Sequence, residues 1–152
     1  MEFEPIRIDE LNIDGIKRIP EDDEVLTVSY LLSGVGEPPE EWEKFFKESL
    51  KSSAYTHRYP DALTLGVNLK PYENIKIAGK QITFKCRVSE ENAKKIKKGG
   101  PFWSFVEDHV AYANEEYRKF LEKGIQEEAE ARKKQEQKDN EYKKFIQILR
   151  KG

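Results

Sequence analysis

The chain has 152 residues, of which 37% are charged, and 27 lysines and arginines nearly balance 29 aspartates and glutamates. This length fits a single domain, and the net charge of −2 excludes a global electrostatic attraction to nucleic acid or anionic lipid. The single cysteine, Cys86, excludes an intrachain disulfide, and with only two histidines beside it the chain lacks a zinc-finger set, so we expect neither metal nor cofactor.

The first part of the chain predicts two strands and a helix. The Phe3–Ile8 segment is a candidate short strand, and the β-branched run Val25–Leu32, bounded by turn residues, is typical of a strand. Pro38 and Pro39 then open a helix, because the first helical turn does not need the N–H that proline lacks. The apolar residues of this helix recur at helical spacing and predict one buried face: Trp42, Phe45, Phe46 and Leu50.

The middle of the chain alternates apolar and polar residues, which is the pattern of strands with one buried face. This alternation predicts a strand over Leu63–Leu69, and it returns in Ile75–Ile77 and Ile82–Val88, where it places Cys86 in the core. Ala78-Gly79-Lys80 between the last two segments predicts a hairpin turn. Sheets with one solvated face are usually antiparallel. The sequence therefore predicts an α+β fold, a two-layer antiparallel sheet with helices on one face.

Helices dominate the last part of the chain. Ser89 is a candidate N-cap for a helix that reaches Lys98, and Pro101 starts a much longer helix. The apolar face of this second helix ends near Leu121, which divides the chain into an α+β domain (residues 1–124) and a charged helical extension (residues 125–152). If the long helix breaks, Asp139-Asn140 is the expected place, since both residues favour caps and turns.

A second apolar stripe appears near the C-terminus, at Tyr142, Phe145, Ile146 and Leu149. We call these four residues the terminal patch. Their spacing places them on one side of a helix, as docking into a groove requires. This pattern predicts a protein that interacts with another protein, or forms a coiled-coil homo-oligomer, through its C-terminal helix. The alternative is a reversal of the chain near Asp139 that packs the patch on the protein's own domain.

A second candidate site is a probable loop that contains Tyr55, His57, Arg58 and Tyr59. Arginine, histidine and tyrosine together can bind an anion or serve acid-base chemistry, so the loop carries the hypothesis of a small-ligand-binding protein or enzyme. The alternative is a connection whose tyrosine rings cover the edge of the core. Because no nucleophile or carboxylate pair is identifiable by spacing, the sequence argues weakly against an enzyme.

The Lys94–Trp103 segment carries a third hypothesis, since lysines next to aromatic residues resemble a surface for single-stranded nucleic acid. A solvated helix face explains the lysines more simply, so nucleic acid is not the favoured partner. His109 lies on the apolar stripe of the long helix, which indicates a buried histidine rather than a ligand. The chain begins without a basic and apolar leader and contains no long apolar stretch, which predicts a cytoplasmic protein that does not enter a membrane.

Overall fold

The computed structural model describes residues 3–34, 36–51 and 63–151. The described strands are β1 (Arg7–Leu11), β2 (Lys17–Ile19), β3 (Asp22–Ser33), β4 (Lys76–Ala78) and β5 (Gln81–Arg87). The described helices are a 3-10 turn (Ile13–Gly15), α1 (Glu40–Leu50), α2 (Pro71–Asn74), α3 (Glu90–Ile96) and α4 (Pro101–Lys151). This content confirms the predicted α+β class with a long C-terminal helix.

The strands form one antiparallel sheet in the order β1-β3-β5-β4, with β2 paired to β3. In the central pair, Tyr30 lies opposite Ile82 and Val28 lies opposite Phe84. These four side chains are buried, because alternate residues of each strand point to the same face. The predicted strand Val25–Leu32 is confirmed within β3, and the predicted hairpin is confirmed where Gly79 and Lys80 join β4 to β5.

Aromatic side chains of the sheet and of α4 build the centre of the core. The Tyr30 ring centroid lies 5.0 Å from that of Phe84 and 4.9 Å from that of Trp103, and the Phe84 and Phe102 centroids are 4.6 Å apart. The Tyr30 hydroxyl donates a hydrogen bond of 2.6 Å to the Ile96 carbonyl. Burial raises the pKa of Tyr30, so the hydroxyl keeps its proton and the bond. The sheet, α3 and α4 are thereby joined at one point.

The predicted strand over Leu63–Leu69 is wrong. Leu63 and Thr64 are helical, and turns and bends follow as far as Leu69. Leu65 and Gly66 have φ angles of 51° and 72°, which are left-handed conformations outside the range of a regular strand. The buried Leu65 carbonyl accepts hydrogen bonds from the Arg87 N–H and the Asn92 side chain. The alternation of apolar residues arises from a tight turn that buries Leu63 and Leu65, not from a pleated strand.

Of three other segments, one agrees with the sequence prediction and two differ from it. The short edge strand β2 lies in a polar stretch where we predicted no strand. Helix α3 begins at Glu90 with Ser89 as its N-cap, as predicted, and the Ser89 hydroxyl accepts from the Asn92 N–H. Helix α4 is continuous through Asp139 and Asn140, so the expected break and the reversal of the chain at that position are wrong.

Asparagine side chains replace backbone partners at three junctions. Asn114 of α4 accepts from the Ile6 N–H at 3.0 Å and from the Trp42 indole at 2.9 Å, and it donates to the Ile6 carbonyl at 2.7 Å. Asn74 bonds both the N–H and the carbonyl of a β5 residue, as a neighbouring strand would. Asn92 links α3 to the Leu65 turn. Buried polar groups thus find partners at each junction.

The chain divides into two compact units, Met1–Tyr117 and Arg118–Gly152. The first unit contains the sheet and the core cluster. The described part of the second unit is entirely helical and belongs to α4. Its side chains are exposed apart from two of intermediate exposure, Leu121 and Ile146.

Candidate functional site

The terminal patch is exposed on α4. Tyr142, Phe145 and Leu149 expose 67%, 60% and 61% of their surface, and Ile146 is half-buried. Ile148, which precedes Leu149, exposes 70% of its surface and widens the apolar side of the helix. An exposed cluster of large apolar side chains is unfavourable in water, and clusters of this kind usually mark interaction sites.

The opposite side of the same helical segment is basic. From Tyr142 to Lys151 the sequence contains no acidic residue, and its four basic residues are Lys143, Lys144, Arg150 and Lys151. At about 100° of rotation per residue, all four fall outside the arc that holds the apolar residues. The end of α4 is therefore a basic amphipathic helix with two distinct sides.

The part of α4 that precedes the terminal patch lacks the unbroken series of apolar seam residues that a coiled coil buries. Continuing the heptad from Tyr142 and Leu149 towards the N-terminus places Gln135 and Glu128 in the seam. Both side chains are exposed. Coiled coils need apolar seam residues over several heptads, so the apolar seam here is limited to the last two turns.

An apolar groove lies on the first unit between α3 and the sheet. It has a volume of about 430 Å³, and we call it the α3 groove. Its apolar lining comes from Leu11, Ile16, Leu26, Cys86, Val88, Ala93 and Ile96. Its other lining residues, which we call the rim, are Arg87, Ser89, Lys94 and Lys97, and they line the groove almost wholly through carbon atoms. Val88, the residue that follows β5, exposes 58% of its surface to water.

The charges around the α3 groove are unequally satisfied. Arg87 is paired with Asp22 at 3.3 Å and with Glu24 at 3.2 Å. Lys94 and Lys97 form no ion pair with any residue that the structure describes. Among the described residues no carboxylate lines the groove. The charged residues of the rim are consequently all basic, and two of them have no ion-pair partner among the described residues.

A serine and a histidine share a hydrogen bond inside the first unit. The Ser49 hydroxyl of α1 is bonded to His109 Nδ1 of α4, and both residues are buried. The Phe105 ring packs edge-on against the imidazole, with 4.4 Å between centroids. Burial lowers the pKa of His109 to about 4, so the ring is neutral at neutral pH. A nucleophile and its base need access to substrate, so this buried pair joins α1 to α4 rather than forming an active site.

The other predicted site residues divide into two groups. Tyr55, His57, Arg58 and Tyr59 lie outside the described residues, and the ligand-binding hypothesis stays a prediction. In the Lys94–Trp103 segment, Phe102 and Trp103 are buried in the core, which removes the aromatic surface that bases would stack on. Sequence analysis missed Ile148 and the α3 groove. Ile148 was missed because it is adjacent to Leu149 in sequence and lies outside the three- and four-residue spacing of the patch. The groove was missed because it combines residues of distant segments.

Comparisons with protein-family models, with curated proteins and with solved structures give no match. No group of three or more histidine, cysteine or carboxylate side chains that could hold a metal ion occurs within the described residues. None of the helices in the described ranges combines the length and the apolar character needed to cross a membrane. Functional inference therefore depends on the terminal patch and the α3 groove.

Proposed function

We propose that this protein is an interaction protein whose C-terminal helix docks into an apolar groove with an acidic rim on another protein. The observation that carries this proposal is the exposure of the terminal patch, with Tyr142, Phe145 and Leu149 each at least 60% exposed. Amphipathic helices bind grooves through residues spaced three and four apart, and aromatic residues are frequent anchors of such interfaces. The four patch residues have this spacing.

The charge of the helix end specifies the chemistry of the partner. Lys144 and Arg150 lie on opposite edges of the apolar side, and no residue from Tyr142 to Lys151 is acidic. A partner groove with carboxylates along its rim would meet these cations, which favours encounter and orientation. A second copy of the same helix offers the same positive charge in parallel pairing, and its seam carries Glu128 and Gln135. A different protein is thus favoured over a homo-oligomer.

The test is affinity capture with the full chain in three forms, followed by quantitative mass spectrometry. The first form is wild type, and the second carries Phe145→Asp with Leu149→Asp. The third is a matched control, Gln137→Asp with Gln147→Asp, which adds the same charge on the polar side of the same helix. All four positions are on the described part of α4.

We expect a partner that the wild type and the control retain and the patch variant loses by at least about tenfold, which corresponds to about 1.4 kcal/mol. The partner should elute as salt is raised, because exposed charge contacts are screened. Equal capture by all three forms would remove the basis of the proposal. A wild-type mass of two chains in solution, reduced to one by the patch variant, would show instead that the patch binds a second copy.

A further inference from the structure

We propose that the α3 groove binds an amphipathic carboxylate, with its acyl chain on the apolar floor and its carboxylate between Lys94 and Lys97. Two properties of the groove support this ligand. Its floor is built from carbon-rich side chains, including Leu26, Val88 and Ile96. Its charged rim is basic and contains no carboxylate from the described residues.

The size of the groove suits a small molecule. Ligand sites in proteins usually occupy about 300–1,000 Å³, and the α3 groove measures about 430 Å³. Leu11, Ile16 and Leu26 are only partly buried, and an acyl chain laid over them would remove their apolar surface from water. The hydrophobic gain scales with the area covered, so a longer chain should bind more tightly until the floor is filled.

The two lysines place the anionic end of the ligand. Lys94 lies in the last turn of α3, Lys97 is its C-cap, and both residues line the groove. Arg87 is already paired with Asp22 and Glu24, so the lysines supply the uncompensated charge. Because their long stems are apolar, lysines can cover an acyl chain while their ammonium groups bind the carboxylate in contact with water.

An acyl chain suits the floor better than a peptide does. At Leu26 and Cys86 the floor lies against β3 and β5, whose backbones are paired with each other at these two residues. A peptide would place its N–H and carbonyl groups against apolar side chains without partners, and burying an unpaired polar group costs free energy. An acyl chain carries no such groups. Every lining residue belongs to the first unit, so this site is independent of the terminal patch.

The experiment is calorimetric titration of the full chain with octanoate, decanoate and dodecanoate, each kept below its micelle concentration, and with decanol as an uncharged probe. We expect each added methylene to tighten binding by about fourfold until the floor is covered. Decanol should bind more weakly than decanoate. Lys94→Gln with Lys97→Gln should weaken decanoate by about five- to tenfold and leave decanol unchanged.

Three further variants locate the site. Ala93→Trp, which fills the floor from α3, should abolish binding of both probes, with circular dichroism checking that the chain is folded. Lys80→Gln with Lys98→Gln removes two exposed lysines outside the groove and should bind decanoate as the wild type does. Phe145→Asp with Leu149→Asp should also bind normally, which excludes adsorption of the acyl chain to the terminal patch.

Several results would overturn the inference. One is the absence of binding by all three carboxylates, and another is affinity that does not change with chain length. Undiminished binding to folded Ala93→Trp would place the ligand elsewhere. Equal affinities for decanoate and decanol, with no effect of the lysine changes, would refute the role of the carboxylate. Loss of binding only in the patch variant would assign the acyl chain to the end of α4.

Discussion

Acid should destabilise the folded protein through His109. Burial lowers the pKa of this imidazole to about 4 from an ordinary 6.5. Between these two pH values His109 is therefore protonated in the unfolded chain and neutral in the folded chain. The stability contributed by the neutral ring is complete above pH 6.5 and is lost as the pH falls towards 4. Linkage gives a loss of about 2 kcal/mol between about pH 7 and about pH 4.5.

The assay is urea unfolding at a series of pH values, comparing wild type with the double variant Ser49→Ala, His109→Leu. Removing both partners of the buried hydrogen bond avoids leaving one polar group alone. The two proteins differ only at Ser49 and His109, so the difference between the two curves isolates His109. The wild type should lose about 2 kcal/mol more than the variant over this range. Parallel curves, or a His109 resonance that titrates near pH 6.5 in the folded protein, would refute the reasoning.

Three further changes test the core and its turns. Tyr30→Phe should lower the free energy of unfolding by about 1–2 kcal/mol in urea, because the Ile96 carbonyl loses its buried donor, and an unchanged value would contradict that bond. Burial raises the pKa of the Cys86 thiol to about 11, so disulfide reagents at about pH 8 should label the folded protein at least about 100-fold more slowly than the unfolded protein. Gly66→Ala should lower the melting temperature, because φ is +72° and the new Cβ would lie 3.0 Å from a neighbouring arginine side chain. The control Gly124→Ala, in the open helix, should raise it.

Sequence patterns predicted the elements whose partners are local. Val25–Leu32 is a β-branched run, and any sheet would bury it, so β3 was recognisable without knowledge of its neighbours. Ser89 was recognisable because a cap acts within one helical turn. The Leu63–Leu69 segment failed for the opposite reason. Its alternation has the same period as a strand, but Arg87 and Asn92, far along the chain, hold the left-handed turn at Leu65.

The candidate sites were predictable to different degrees. The terminal patch was predictable because its residues recur at helical spacing within one segment. Helix α4 continues through Asp139 and Asn140 to that segment, so the four residues lie on one side of it. The α3 groove combines residues from β1 to α3, such as Leu11 and Lys97, which are brought together only by the sheet order. No periodicity in a single sequence carries that information. Only the tertiary arrangement could identify the groove.

Both proposed sites are accompanied by basic residues and favour an acidic ligand. The C-terminal helix of one copy is therefore not the expected ligand of the α3 groove of another. The terminal patch is accompanied by Lys143 and Arg150, and the α3 groove is accompanied by Lys94 and Lys97. Seating the helix end of one copy in the groove of another would bring like charges together in a partly desolvated place, which is unfavourable. The groove consequently favours a small carboxylate, and the helix favours an acidic protein. If this reasoning holds, saturating decanoate leaves capture through the terminal patch unchanged.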